Sequence, residues 1–447
     1  MSHQPAGKAL LVGLGKTGVS AARHLAARGW RLAATDSRAE PPGLAAVAPL
    51  IEDGECRLGG FDAGLLEGAD LVVASPGVSL REPLLTAAAQ RGLAVVGDIE
   101  LFAREAQAPV VGITGTNGKS TVTTLLGRMA ARAGRRVAVG GNLGTPALEL
   151  LQTPSPDLYV LEISSFQLET THSLRARAAT VLNLSADHLD RYGGLAPYAA
   201  AKSKIFAGCG IGVLNRDDPW VSAMAEDGAA GRYVGFSLRD NGAAEYALLT
   251  HQGELWLGMH GRPVMPVAAL RLTGLHNAAN ALAALALGEA CDLPQRAMLE
   301  ELREFTGLPH RSQWVGEVRG VRYINDSKGT NVGATIAAIA GLPAPLVLIA
   351  GGDGKGQDFA PLAAALGGRV RLALLIGRDA APLAAALAQG CEVRRCGSLE
   401  QAVDEAARSA QPGEIVLLSP ACASLDMFRD YTERGERFAA AVRGLPS

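Results

Sequence analysis

Gly115-Thr116-Asn117-Gly118-Lys119-Ser120-Thr121 follows the apolar run Val110-Val-Gly-Ile-Thr114 and precedes a helix-forming stretch that reaches Ala133. A strand, a glycine-rich loop and a helix in that order present backbone N–H groups and a helix N-terminus to an anion. Lys119 is placed to neutralise the outer phosphates of a nucleotide, and Ser120 to offer a hydroxyl to Mg²⁺. The strict GxxxxGK[ST] pattern is broken, because Ile113 stands where its first glycine would be. An ordinary βα turn is the plainer alternative, although it gives Lys-Ser-Thr no task. Glu162 ends the apolar run Leu158-Tyr-Val-Leu. It reads either as a solvated strand end or as a carboxylate that helps to hold the nucleotide's magnesium.

A second glycine pattern, Gly13-Leu-Gly15-Lys16-Thr17-Gly18, follows a strand near the N-terminus, and Asp36 lies 18 residues beyond Gly18. This is the fingerprint of a turn that seats a pyrophosphate, with an acidic residue for a ribose. It fits a nicotinamide dinucleotide and therefore an NAD-dependent oxidoreductase, but equally the diphosphate of a UDP-sugar. Two phosphate-binding turns in one chain favour ATP together with a nucleotide-bearing substrate, since an oxidoreductase leaves the Lys119 loop unused.

The elements that must position these residues alternate short apolar strands with Ala/Leu/Arg-rich helices, which is the pattern of parallel α/β sheets. Strands are expected near Ala9–Gly13, Arg31–Thr35, Asp70–Ala74 and Leu93–Val96, and again near Pro109–Thr114, Arg136–Gly140, Asp157–Glu162 and Ala179–Asn183. From about Arg232 to Leu270 the alternation around Gly-containing turns predicts antiparallel hairpins, followed by helices at His276–Cys291 and Pro294–Phe305. A third set falls near Pro345–Ala350, Arg371–Ile376, Glu392–Cys396 and Glu414–Ser419. The fold class is thus α/β in three domains, 1–97, 98–307 and 308–447. The outer two are Rossmann-like, and the central one is P-loop-like with added antiparallel strands. The 447 residues carry 48% hydrophobic side chains, enough for several cores, and a formal charge of −2. That near-neutrality and the 4% aromatic content argue against a nucleic-acid platform. Six cysteines without a CxxC pair argue against a disulfide framework or zinc cluster. No run approaches the ~18 apolar residues of a spanning helix, and the N-terminus lacks the pattern of a leader. The expectation is a soluble, cytoplasmic, monomeric enzyme without nucleic-acid or membrane partners.

Further segments give the chain a family likeness along nearly its whole length: Ala74-Ser-Pro-Gly77, Gly97-Asp-Ile-Glu-Leu-Phe102, Gly140-Gly-Asn-Leu-Gly144, Glu162-Ile-Ser-Ser-Phe-Gln167 and Asp187-His-Leu-Asp-Arg-Tyr192. They continue with Lys202, His276-Asn-Ala-Ala-Asn280, Pro309-His-Arg311, Asn325-Asp-Ser-Lys-Gly-Thr-Asn331, Gly351-Gly-Asp-Gly-Lys355 and Ser419-Pro-Ala-Cys-Ala-Ser-Leu-Asp426. With the two glycine turns, these resemble the Mur ligases, and most of all the branch that adds D-glutamate.

The resemblance implies an ATP-dependent amide-bond ligase that joins D-glutamate to UDP-N-acetylmuramoyl-L-alanine through an acyl phosphate, in peptidoglycan precursor synthesis. It assigns the UDP-sugar to the first domain, ATP to the second and D-glutamate to the third. By likeness, Gly115, Thr116, Asn117, Gly118, Lys119, Ser120 and Thr121 hold the ATP phosphates. Asn280, Arg311 and Asp326 meet the base, phosphates and ribose, and Lys328 lies near the transferred phosphate. Two Mg²⁺ ions are implied, one on Ser120 and Glu162, the other served by His188 and Lys202, with the lysine carbamylated. The catalytic set is then Lys119, Glu162, His188, Lys202 and Lys328. Gly15, Lys16, Thr17, Asp36, Ser37, Arg38, Gly77, Asn142 and His188 map to the UDP substrate, and Thr330, Lys355, Ser424 and Tyr431 to D-glutamate. Read without the resemblance, Lys202 is a surface helix lysine, His188 a capping or core histidine, Asn280 a helix-surface amide and Arg311 a solvated cation.

Three departures stand out: Lys16 where the best-known members carry an apolar residue, Ser37 for threonine, and Tyr431 where Phe is common. Lys16 is read as a phosphate contact or a solvent-facing side chain. The rivals are a sister Mur ligase, which would differ around Lys355 and Ser424, a folylpolyglutamate-synthase-like ligase, which would not need Asp36, a non-catalytic nucleotide-binding regulator, and the oxidoreductase.

Overall fold

The computed structural model describes residues 6–446, apart from residues 53, 152, 153, 227, 240, 241, 243, 273, 343 and 344. The first five residues, on which the reading of a leaderless N-terminus partly rests, lie outside it. Three sheets form, each around central strands whose residues are almost all buried, as parallel strands covered by helices on both faces require, with more exposed strands at the edges. The first is a five-stranded parallel sheet in the order Cys56–Leu58, Arg31–Asp36, Lys8–Val12, Leu71–Ala74, Ala94–Val96. Its strand order reverses between Lys8–Val12 and Leu71–Ala74, and a crevice opens beyond their C-terminal ends. Gly18 lets the helix Lys16–Ala26 pack there: a Cβ on it would stand 2.2 Å from the Gly13 carbonyl oxygen.

The middle sheet has nine strands. Val137–Gly141, Leu158–Glu162, Val110–Thr114, Ala178–Val181, Ile211–Asn215 and Arg232–Ser237 run parallel. Tyr246–His251 continues in parallel, and Glu254–Met259 and Arg262–Pro266 then turn back as antiparallel neighbours. The expected hairpins are therefore present, but they begin at Tyr246. Arg232–Ser237 belongs to the parallel part because it pairs with Ile211–Asn215, a strand the sequence reading did not separate. The helix Leu275–Ala290 is buried on nearly all sides, as its alanine and leucine content requires.

The third sheet orders Gln313–Val318, Val321–Asn325, Ile415–Leu418, Leu346–Gly351, Val370–Ile376 and Glu392–Arg395. Only the first pair is antiparallel. Apolar packing is continuous between the first two sheets: one core cluster includes Leu11, Val73, Phe102, Val110, Tyr159 and Tyr198. The clusters around the third sheet draw only on its own residues, among them Ile324, Leu348, Leu375 and Phe438.

Candidate active site

Gly118 adopts a left-handed conformation (φ 83°) at the mouth of the helix Lys119–Arg132, and Gly115 has φ 143°. These two residues bend the chain so that Lys119 folds back over its own loop, donating to the carbonyls of Gly115 (2.8 Å) and Thr116 (2.9 Å). Asn183 pins the loop to the middle sheet: its Oδ1 accepts from the Asn117 backbone N–H at 2.8 Å, and its Nδ2 donates to the Asn117 carbonyl at 3.0 Å. Burial lowers the pKa of Lys119, against the pull of Glu162 in the other direction.

Glu162 lies opposite Ile113 in the neighbouring strand, so the carboxylate sits at the sheet edge from which the loop springs. It is 3% exposed, which removes the solvated-strand-end reading. Asn142 donates to its Oε1 at 2.6 Å, whereas its buried Oε2 has no hydrogen-bond partner. An unsatisfied carboxylate oxygen beside a phosphate loop is suited to a cation. Lys202 is likewise no surface lysine: it is 1% exposed, donates to Thr114 Oγ1 (3.2 Å) and the Gly115 carbonyl (2.9 Å), and stacks its ammonium 4.7 Å from the centre of the Tyr198 ring. Burial first, and Lys119 second, push its pKa well below that of an ordinary lysine. His188 is partly exposed and stands at the N-cap position of the short helix Leu189–Tyr192 in a left-handed conformation (φ 54°), without a side-chain capping bond. Among the described residues no three His, Cys, Asp or Glu side chains converge on one point. A divalent ion here would thus rely on Ser120, Glu162 and His188 together with phosphate oxygens and a modified Lys202.

Asn280 is buried and Arg311 half-buried, so neither is the helix-surface amide or solvated cation that its sequence context suggests. Arg311 arrives from the third domain and donates to Ser120 Oγ at 2.5 Å, and Asn280 sets its Oδ1 where any Cβ on Gly118 would collide with it, 2.5 Å away. Both border a cavity of about 340 Å³, together with Asn117, Gly118, Thr121 and Asp326. Asp326 is buried, accepts from Ser419 Oγ (2.8 Å) and Ser312 N–H (3.0 Å), and has its pKa raised to about 6 by desolvation. Lys328, also on this wall, faces the Tyr431 ring at 3.9 Å. Burial, with Arg311 and Lys119 nearby, lowers its pKa to about 8.

A separate cavity of about 570 Å³ opens at the switch point of the first sheet. Gly15, Lys16, Thr17, Asp36, Ser37, Arg38, Gly77 and Asn142 all line it, whereas His188 does not. Asp36 is fully engaged: its carboxylate accepts from Leu14 N–H (2.7 Å) and, in a fork, from Arg38. The Arg38 guanidinium holds its pKa down at about 2. Lys16 is exposed on the rim of this cavity and donates to the Gly144 carbonyl of the middle domain.

In the third domain, Lys355 and Ser424 lie on segments joined by an Asp353–Ala423 bridge, and Gly329, next to Thr330, accepts from Ala421 N–H at 2.9 Å. Tyr431 opens the helix Tyr431–Arg443. Lys355 pairs with Asp187 at 2.9 Å. Asp187, Asn331, Gln167 and Arg434 were not assigned roles from the sequence. Arg434 is 0% exposed and donates to the carbonyls of Ser327, Cys422 and Ala423 and to Ser327 Oγ, joining the loop that carries Lys328 to the loop that carries Ser424. Asn331 alone had a readable signal, a polar residue directly before an apolar helical run.

Three α/β domains, two of them meeting at a phosphate loop and the first holding a diphosphate-sized crevice, define a nucleotide-dependent synthetase architecture. Residues 7–97 match the domain described as Mur ligase MurD-like, N-terminal; 113–288 match the Mur ligase middle domain; 310–422 match the Mur ligase glutamate ligase domain. The chain belongs to the Mur ligase family. It is 54% identical over 449 residues to the UDP-N-acetylmuramoylalanine--D-glutamate ligase of Nitrosococcus oceani, covering 100% of this chain and 99% of that one. It is 53% identical over 439 residues to the protein of the same name from Methylobacillus flagellatus, covering 98% of this chain and 96% of that one. In fold it resembles the UDP-N-acetylmuramate-alanine ligase MurC of Thermotoga maritima (TM-score 0.62, 19% identity, 98% and 99% coverage). It also resembles MurF of Acinetobacter baumannii (TM-score 0.62, 18% identity, 99% and 92% coverage). No helix among the described residues is long and apolar enough to cross a membrane.

Proposed function

We propose that the chain is an ADP-forming ligase that joins D-glutamate to the L-alanine carboxylate of UDP-N-acetylmuramoyl-L-alanine, with domains at 1–97, 98–307 and 308–447. The observation that carries the reading is the meeting of phosphate-loop residues Asn117, Gly118 and Thr121 with Arg311 and Lys328 of the third domain around one cavity, with Arg311 bonded to Ser120 beside it. Full-length identity of about half to ligases of that name supports it.

In the first step the substrate carboxylate oxygen attacks the γ-phosphorus of ATP, the bond to the bridging oxygen breaks, and ADP leaves. The phosphate loop and Lys119 position the chain of phosphates, and Lys328 and Arg311 face the charge that spreads over the transferred group. Ser120 and Glu162, and His188 with a carbamylated Lys202, would hold Mg²⁺, which would supply charge neutralisation for the phosphates. The unpartnered Glu162 oxygen fits such an ion. A Lys202 ammonium does not fit, but the uncharged amine favoured by its burial is the form that adds carbon dioxide to become an anionic ligand.

In the second step the D-glutamate amine attacks the acyl carbon, phosphate is expelled, and a proton passes to solvent. Lys355, Thr330, Ser424 and Tyr431 receive the amino acid, and a lysine beside hydroxyls suits a dicarboxylate. Gly15, Lys16, Thr17, Asp36, Ser37, Arg38, Gly77 and Asn142 receive the UDP-sugar. Asn142 also steadies Glu162, so it touches both the nucleotide-sugar crevice and the carboxylate that serves ATP. The decisive assay is phosphate release with ATP, UDP-N-acetylmuramoyl-L-alanine and a panel of amino acids. Release that depends on D-glutamate supports the reading; release with another amino acid, or none, refutes it.

A further inference from the structure

Asn331 is 3% exposed and uses every hydrogen-bonding position of its amide. Its Oδ1 accepts from Ala334 N–H at 2.8 Å, which caps the helix Val332–Ala340, and from Asn117 Nδ2 at 3.4 Å. Its Nδ2 donates to Asn117 Oδ1 at 3.2 Å and to Asp187 Oδ2 at 3.3 Å. One third-domain side chain therefore grips the phosphate loop and the carboxylate that holds Lys355. The approach is close: a Cβ on Gly333, two residues on, would lie 2.8 Å from Ser185 Oγ of the middle domain. Because Asn183 fixes Asn117 to the central sheet, the third-domain helix is registered directly against the loop that carries Lys119 and Ser120.

We infer that Asn331 is a positioning residue that holds the amino-acid domain in register with the phosphate loop, so that the acyl phosphate formed there meets the amine rather than water. The inference rests on the ligase reading above. A helix cap needs only one acceptor oxygen, and serine provides it. The two amide donations to Asn117 and Asp187 add nothing to the cap and reach out of the domain.

The test compares Asn331→Ser, which retains a capping oxygen, with Asn331→Ala, which does not, measuring ADP and amide product in the same reactions. For Asn331→Ser the melting temperature should fall clearly less than for Asn331→Ala, because the cap is kept. Amide kcat should fall ~10- to 100-fold, as loss of one neutral and one charged hydrogen bond predicts, and ADP should exceed amide. The KM for the nucleotide-sugar, bound in the first domain, should hold. Wild-type coupling and rate in Asn331→Ser overturn the inference. So does a melting-temperature loss equal to that of Asn331→Ala, with rates falling in proportion, because capping alone then explains the residue. Failure of the wild-type chain to make the D-glutamate amide would instead remove the ligase reading, and is visible before any variant is made.

Discussion

Replacing Arg434 by methionine should destabilise the third domain and loosen the amino-acid pocket at once. The guanidinium has no exposed surface and donates to Ser327 Oγ (3.0 Å) and to the carbonyls of Ser327 (2.8 Å), Cys422 (3.2 Å) and Ala423 (3.4 Å). Burial draws its pKa down to about 10, a sign of what desolvating the charge costs. Methionine fills much of the volume and removes that cost, but it strands carbonyls that water cannot reach, at ~1–3 kcal/mol each. Three stranded carbonyls, less the relieved desolvation of the guanidinium, leave a net loss of ~3–5 kcal/mol. At ~2–4 °C per kcal/mol for a unit of this size, the transition of the third domain should drop by roughly 10 °C. Calorimetry would resolve that transition, and the KM for the amino acid should rise because the Ser327 and Ala423 loops separate. Arg434→Lys, with a single donor group, should fall between. A methionine variant that melts within about 2 °C of wild type, with an unchanged KM, would refute the clamp.

Lys119→Ala should abolish ADP formation, and steady-state turnover like that of wild type would remove Lys119 from phosphoryl transfer. Gly118→Ala should raise the KM for ATP and cost ~1–3 kcal/mol of stability, since φ is 83° and the new Cβ would meet Asn280; an unperturbed variant would show that the loop has another conformation open to it. Lys328, with a pKa of about 8, should impose an alkaline limb on kcat near that pH, and Lys328→Arg should shift the limb away. Between that value and the ordinary lysine pKa the unfolded chain binds more protons than the folded one, so this residue makes stability rise with pH there, and thermal melting distinguishes lost activity from unfolding. Lys16→Leu should raise the KM for the UDP-sugar several-fold and flatten its salt dependence; an unchanged salt profile would leave Lys16 only its bond to Gly144.

The parts of the site that are local in sequence were legible. Gly115–Thr121 and Gly13–Gly18 declare themselves because turn, charge and helix start lie within a few residues of one another. Lys202 was not legible by composition, since its burial depends on Tyr198 and on a loop 87 residues earlier in the chain; only family likeness marked it. Asp187 and Asn331 sit inside segments that were quoted as motifs, yet their tasks arise where two domains meet. Among strands, Cys56–Leu58 was missed because it is short, at a sheet edge and only half-buried. The hairpin Gln313–Val318 with Val321–Asn325 was missed because a register shift between Trp314 and Gly316 breaks the alternation that marks a strand.

The shared apolar packing of the first two domains, set against the separate cores of the third, makes the molecule unequal in its joints. A boundary stitched by Leu, Phe and Tyr side chains resists shear, whereas one made from Asn331, Arg311 and Lys355 can be undone and remade with water as the stand-in partner. The third domain is therefore the exchangeable part. Grafting a different one needs a handful of polar contacts at Asn117, Ser120 and Asp187 to be matched, and no core to be repacked. A lineage could change which amino acid it attaches while inheriting the machinery for nucleotide and sugar intact.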